Sequence, residues 1–237
     1  MCYYPAMTTV LLVRHGQNDW VKKNRLAGWI PGVHLNEEGQ KQAAAAAERL
    51  AHLPVKAIYS SPVERCMETA QIIAGRFNQP VIALADVGEV RYGEWEGEEI
   101  KILAKKKAWY AVQHFPSRFQ FPEGEALWAV QQRAVMALEK LSHDHPEELI
   151  VVVSHADVIK LVLAHYLGVH IDLFQRIGLS PASVSALSLH KSGMVHVLRI
   201  NDDGPFQPPP PPKKDEDESE STSHQESEKV SGHASKH

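Results

Sequence analysis

Thr9-Val10-Leu11-Leu12-Val13 is an unbroken run of β-branched and aliphatic residues that stops at Arg14-His15-Gly16. A strand without polar alternation must be covered on both faces, as central strands of parallel α/β sheets are, and ligands bind beyond the carboxyl ends of such strands. This feature narrows the chain to a layered α/β architecture and sets Arg14 and His15 where a substrate would lie. Leu149 to Val153 repeats the pattern and runs into Ser154-His155-Ala156-Asp157. Two buried strands therefore each end in a histidine.

The intervening segments read as helices and further strands. Asn36-Glu37-Glu38 supplies an N-cap and an acidic first turn, and Ala43, Ala46, Ala47 and Leu50 follow at helical spacing, which predicts a helix over 37–52. Val55 to Ser60 is a second strand, and Ser61-Pro62 caps a helix reaching Arg76, so that Arg65 falls in its first turn. A short strand over 81–84 leads to a glycine-punctuated, acid-rich loop from Gly88 to Gly97 that contains Glu89. Residues 98–122 combine Lys105, Lys106 and Lys107 with Trp109, Tyr110 and Phe115, a helical insertion with a lid-like end. Leu127, Val130, Ala134, Leu138 and Leu141 mark another helix, and Val158 to Leu167, stopped by Gly168, places His155 at a helix N-terminus. Segments 184–190 and 194–200, joined by Lys191-Ser192-Gly193, form a hairpin that finishes the sheet, whereas 17–35 has no periodicity and reads as a long loop beside the site.

Charge and composition exclude several function classes. A formal net charge of -4 argues against a nucleic-acid partner, whose phosphates need a basic surface. No apolar run is long enough for a membrane span, and two cysteines, Cys2 and Cys66, make no disulfide framework, so a cytoplasmic home is expected. One catalytic domain is expected over 1–201, followed by a tail over 202–237 in which Pro208 to Pro212 precedes lysine, acidic, serine and histidine residues. Such a composition cannot pack a core and predicts disorder, with only an incidental metal affinity at His224, His233 and His237.

Four separated points share one character: Arg14-His15-Gly16, Arg65 near a helix start, Glu89 in its loop, and Ser154-His155 between strand and helix. Together they suit a phosphoryl group. Guanidinium forks hold phosphate oxygens, a second histidine adds a donor, and a helix N-terminus adds free N–H groups. A neutral His15 is the candidate nucleophile, with its other ring nitrogen tied down by Gly16 or the nearby backbone. Glu89 is the candidate general acid and base, a role worth about 10² to 10⁴ in rate. Arg14, Arg65 and His155 would meet the charge of the phosphoryl in transfer.

These motifs, in order from residue 8 to residue 200, resemble the histidine phosphatase superfamily, also called phosphoglycerate mutase-like. The carrying stretches are Arg14-His15-Gly16, Gly28-Trp29 through Leu35-Asn36-Glu37-Glu38-Gly39, Ser60-Ser61-Pro62 with Arg65, Glu89 through Trp95-Glu96-Gly97, and Val153-Ser154-His155. Phe174-Gln175-Arg176-Ile177 before Pro181-Ala182-Ser183 looks like a bacterial branch of phosphomutases or phosphatases. The resemblance implies a three-layer α/β/α sandwich around a mostly parallel sheet, His15 as nucleophile, Glu89 as acid and base, a phosphate pocket of Arg14, Arg65 and His155, and neither metal nor cofactor. Three positions depart from the family pattern: Val21 stands where an asparagine is usual, Ala126 where a serine follows Gly124-Glu125, and Ala156 where a glycine is common. Asn18 is expected to replace part of the lost amide contact, and Gly28 to face the substrate.

The function expected from these residues is metal-independent hydrolysis of small phosphomonoesters through phosphohistidine. A mutase that returns the phosphoryl group to its substrate is the rival enzyme, and a catalytically weak phosphate-binding module is the rival of another class.

Overall fold

The computed structural model describes residues 7–204. In chain order the elements are β1 (Thr8–Arg14), α1 (Asp19–Lys22), α2 (Glu37–Leu50), β2 (Val55–Ser60), α3 (Glu64–Ala74), β3 (Val81–Ala83), α4 (Ile100–Leu103) and α5 (Lys107–His114). They continue with α6 (Leu127–Asp144), β4 (Leu149–Ser154), α7 (Ala156–Tyr166), β5 (Val184–Leu189) and β6 (Val195–Asp202). The strands form one sheet in the order β3-β2-β4-β1-β5-β6. β3, β2, β4 and β1 run parallel, while β5 and β6 are antiparallel additions at one edge.

The unbroken apolar runs explain the layers. In β1, Val10 and Leu12 face one way and join a core with Val130 and Leu138 of α6 and Val158 and Val162 of α7. Leu11 and Val13 face the other way and pack with Ala47 and Leu50 of α2 and Cys66, Ala70 and Ile73 of α3. Both faces are thus dry, and the sheet is sandwiched between helices, as the sequence implied.

Register then places the chemistry. Arg14 lies opposite Ser154 in the β1–β4 ladder, so the two strands end level and His15 and His155 emerge side by side. The His15 N–H donates to the Ser154 carbonyl at 3.0 Å.

Several boundaries differ from expectation for local reasons. The helix assigned a cap at Ser61-Pro62 starts at Glu64, with Val63 as an N-cap that makes no side-chain bond. Ser61 lies two residues before that cap, its hydroxyl 2.8 Å from His155 Nε2 and accepting from the Val63 N–H at 3.4 Å. The helix after β4 begins at Ala156, two residues early, directly after His155. The loop over 17–35 contains α1, capped by the Asn18 side chain accepting from the Val21 N–H at 2.9 Å. β6 extends through Asp202. Cys2 and the tail from residue 205 onward, including its histidines, lie outside the described residues. Among the described residues, no helix is long and apolar enough to cross a membrane.

Candidate active site

A cavity of about 250 Å³ opens at the carboxyl ends of β1 and β4, with Arg14, His15, Asn18, Arg65, Glu89 and Asp157 in its wall. Its residues come from four parts of the chain, each held by a definable contact. Gly16 and Gly39 bring the loop after β1 against the start of α2 so closely that a Cβ on Gly16 would sit 2.5 Å from the Gly39 carbonyl oxygen. The Gly16 N–H donates to the Thr69 hydroxyl at 3.1 Å, which ties the same loop to α3.

His15 is 3% exposed, and its Nδ1 lies 2.8 Å from the Gly16 carbonyl. A carbonyl only accepts, so Nδ1 carries the ring proton and Nε2 keeps its lone pair. Arg65 Nε is 3.3 Å from that Nε2. Burial, reinforced by the charges of Arg65, His155 and Arg14, holds the His15 pKa well below its ordinary value of 6.5. The imidazole is therefore neutral at physiological pH, with its unprotonated Nε2 accepting from Arg65 Nε and the residue lining the cavity.

Arg65 is 1% exposed, and burying a guanidinium is costly unless its charge is paired. Its Nη2 donates to the Gly28 carbonyl at 3.0 Å and lies 3.4 Å from Glu89 Oε2. Glu89 in turn accepts from the Val90 N–H at 3.0 Å through Oε1. Burial pushes the Glu89 carboxyl up, but His155, Arg65 and the Val90 N–H together outweigh it and hold its pKa at about 2.

His155 is fully buried, with Nε2 at 2.8 Å from the Ser61 hydroxyl and Nδ1 at 3.3 Å from Glu89 Oε2. Its pKa is lowered by burial, against the opposing pull of Glu89. It stands behind Arg65 and Glu89, 5.3 Å ring to ring from His15, and is not among the residues lining the cavity.

Three donors in this wall have no partner among the described residues: Arg14 Nε, Asn18 Nδ2 and Arg65 Nη1. Arg14 spends its Nη1 on the Leu179 carbonyl, at 2.6 Å, and Asn18 spends its oxygen on α1. Buried donors left unmatched are costly, and here all three belong to residues in the wall of one cavity, which the N-terminal residues of α7, Ala156 and Asp157, also line. The arrangement suits an anion rich in oxygen, beside a neutral imidazole.

A model of the histidine phosphatase superfamily (branch 1) matches residues 10–203. The chain belongs to that superfamily. Phosphoserine phosphatase 1 of Hydrogenobacter thermophilus is 30% identical over 82% of this chain and 92% of its own length. The metal-independent phosphoserine phosphatase of Arabidopsis thaliana is 36% identical over 66% of this chain and 67% of its own. Among solved structures, Bacillus stearothermophilus YhfR superposes with a TM-score of 0.77 at 28% identity, covering 82% of this chain and 97% of that one. The fold read from the sequence and the reading as a phosphatase-type enzyme agree with these relatives.

The cavity brings Arg14, His15, Asn18, Arg65 and Glu89 to one wall, while two expected residues stand outside its lining. His155 lies behind the wall. Gly28, with φ at +51°, is not part of the lining, and it contributes the carbonyl that holds Arg65. Of the three departures, Val21 and Ala156 line the cavity, whereas Ala126 is the N-cap of α6, with no side-chain cap bond.

Sequence reasoning missed the supports. Arg133 of α6 donates to three carbonyls of the Glu89 loop, those of Asp86, Gly88 and Glu89, at 2.6, 2.9 and 3.0 Å, while pairing with Glu125. The indole N–H of Trp29 donates to the Glu89 carbonyl from the other side at 2.7 Å. Glu125 next to Gly124 was the available signal for Arg133. Ser61 and Thr69 carried none, because a serine near a helix start and a threonine inside a helix are ordinary residues there.

Proposed function

We propose that this chain hydrolyses phosphomonoesters by passing the phosphoryl group from the substrate to Nε2 of His15 and then to water. The observation that carries the reading is that the wall of one cavity holds His15 together with Arg14, Asn18 and Arg65, each of which keeps a buried donor without a partner among the described residues. Those donors take phosphoryl oxygens and place phosphorus before Nε2. A P–N bond forms as the P–O bond to the alcohol breaks, and Glu89 gives its proton to the departing oxygen. Water then attacks phosphorus, Glu89 takes back a proton, and the P–N bond breaks to release phosphate and neutral His15. Arg14 and Arg65 meet the charge of the phosphoryl in flight, and His155 acts through the Arg65 and Glu89 groups it touches.

Glu89, with its pKa near 2, is ionised before substrate arrives. An anionic phosphoryl group beside it draws on the same arginine and raises its proton affinity, so the proton for the alcohol enters with the substrate. The test is phosphate release in EDTA from a panel including phosphoserine, phosphoglycerates and alkyl phosphates, with His15→Ala beside wild type. Release that survives EDTA and disappears in His15→Ala supports the reading. Isomerisation of a phosphoglycerate without free phosphate would give the site to a mutase, and anion binding with no turnover would make it a binding module.

The folded catalytic portion is taken to end near residue 201, with the remainder as a tail, and the compartment is taken to be the cytoplasm. Resistance of residues 7–204 to limited proteolysis tests the first part.

A further inference from the structure

A second cavity of about 270 Å³ adjoins the first, and Leu26, Tyr92, Ile100 and Asp157 belong to the walls of both. Its character is different. Trp109, Val112, Phe121, Leu127 and Phe174 join Leu26 and Ile100 in an apolar majority of the lining, and no arginine takes part. The aromatic part is preorganised: Trp95 stacks on Trp109 at 6.1 Å between ring centroids, and Phe121 meets Trp95 and Tyr92 edge-on at 5.3 and 5.1 Å. Rings fixed by one another present a shaped apolar surface with little entropy left to lose on binding.

The polar groups of this cavity nearly neutralise one another. Lys160 Nζ is 2.9 Å from Gln175 Oε1 and 3.4 Å from Asp157 Oδ1, and Asp157 also accepts from the Tyr92 hydroxyl at 3.2 Å. An ammonium has three N–H groups, so one remains for a ligand. Its charge is already balanced by Asp157, so a ligand carboxylate would add a second negative charge without a second positive one.

We propose that the second cavity receives the alcohol part of the substrate, and that this alcohol carries an aromatic or bulky apolar body ending in an uncharged hydrogen-bond acceptor that meets Lys160. The inference rests on the phosphatase reading above and departs from the substrates named for the relatives, phosphoserine being small and carrying a carboxylate. Such a short, charged alcohol leaves the apolar walls uncovered.

The test uses alkyl phosphates of similar leaving-group chemistry, so that selectivity reports binding rather than intrinsic reactivity: ethyl phosphate, 2-phenylethyl phosphate, its para-carboxamide and para-carboxylate, and phosphoserine. The phenylethyl ester is expected to exceed ethyl phosphate and phosphoserine in kcat/KM by roughly tenfold to a hundredfold, from the apolar area it covers. The carboxamide is expected to exceed the carboxylate by about tenfold. Trp109→Ala is expected to shrink the phenylethyl-to-ethyl ratio, and Lys160→Met to erase the carboxamide's advantage over the unsubstituted ring while keeping that ratio. Ethyl phosphate or phosphoserine turned over as well as the phenylethyl ester, in a reaction that His15→Ala abolishes, overturns the substrate class and leaves the phosphatase reading intact. No turnover of any ester overturns both. The wild-type series decides the matter even if Trp109→Ala does not fold.

Discussion

The ends of β1 and β4 are built alike and serve differently. Each is a buried parallel strand that stops at a histidine, the two are level in the sheet, and the imidazoles stand 5.3 Å apart. After β1 the chain leaves the sheet as a loop, and His15 lines the cavity, with Nδ1 bound to the backbone and Nε2 accepting only the long 3.3 Å bond from Arg65. After β4 the chain enters α7 at once, and His155 is held at the helix start with both nitrogens engaged, by Ser61 on one side and by Arg65 and Glu89 on the other. On the proposed mechanism, the segment that leaves each strand, loop or helix, sets whether its terminal histidine reacts or supports.

This contrast is broken most forcefully by removing each histidine in turn. His15→Ala is expected to lower kcat by on the order of 10⁴ or more, the loss that accompanies deletion of a nucleophile. His155→Ala is expected to cost about 10², because it loosens Arg65 and Glu89 without touching the reacting atoms. Both are read from phosphate release on one substrate, and equal losses would mean that the two histidines share one role. Glu89→Gln keeps the shape of the wall and removes the proton donor, so kcat is expected to fall by about 10² to 10⁴, least for esters whose alcohols are good leaving groups. A uniform loss across leaving groups would assign Glu89 to positioning instead.

Ser61→Ala sharpens the comparison on its supporting side. It leaves His155 Nε2 buried without its 2.8 Å partner, which is expected to lower stability by about 1–3 kcal/mol in denaturant titration while kcat changes by under about tenfold. The smallest effect is spectroscopic. Burial lowers the pKa of both His15 and His155, whereas the exposed His34 is raised by its bond to Glu68. In an NMR titration from alkaline pH downward, the His34 ring signals should move first, above the ordinary histidine value of 6.5, and those of His15 and His155 should stay in place through 6.5. The acid limb of kcat/KM should begin below that value too.

Much of this was legible in the sequence because it rests on backbone periodicity. Thr9 to Val13 and Leu149 to Val153 announce two-sided burial, and the alternation of Val10 and Leu12 against Leu11 and Val13 accounts for both helical layers. Arg14, His15, Asn18, Arg65 and Glu89 were legible as polar residues placed at strand ends, helix starts and a glycine-rich loop. The hidden part depends on long-range contact. Arg133 lies 44 residues from the Glu89 carbonyl it holds, and Ser61 lies 94 residues from His155. Gly28 shows the same limit: its motif pointed to the site, but only the fold reveals that its carbonyl grips Arg65 while the residue itself stands outside the lining.

Trapping the covalent intermediate tests the central claim most directly. Wild-type protein mixed with a turned-over phosphomonoester, quenched in alkali within one turnover and digested, should yield one phosphorylated peptide. The phosphoryl group should be acid-labile and should map to His15. A label on His155, or turnover with no phosphorylated residue at any time, would contradict the account.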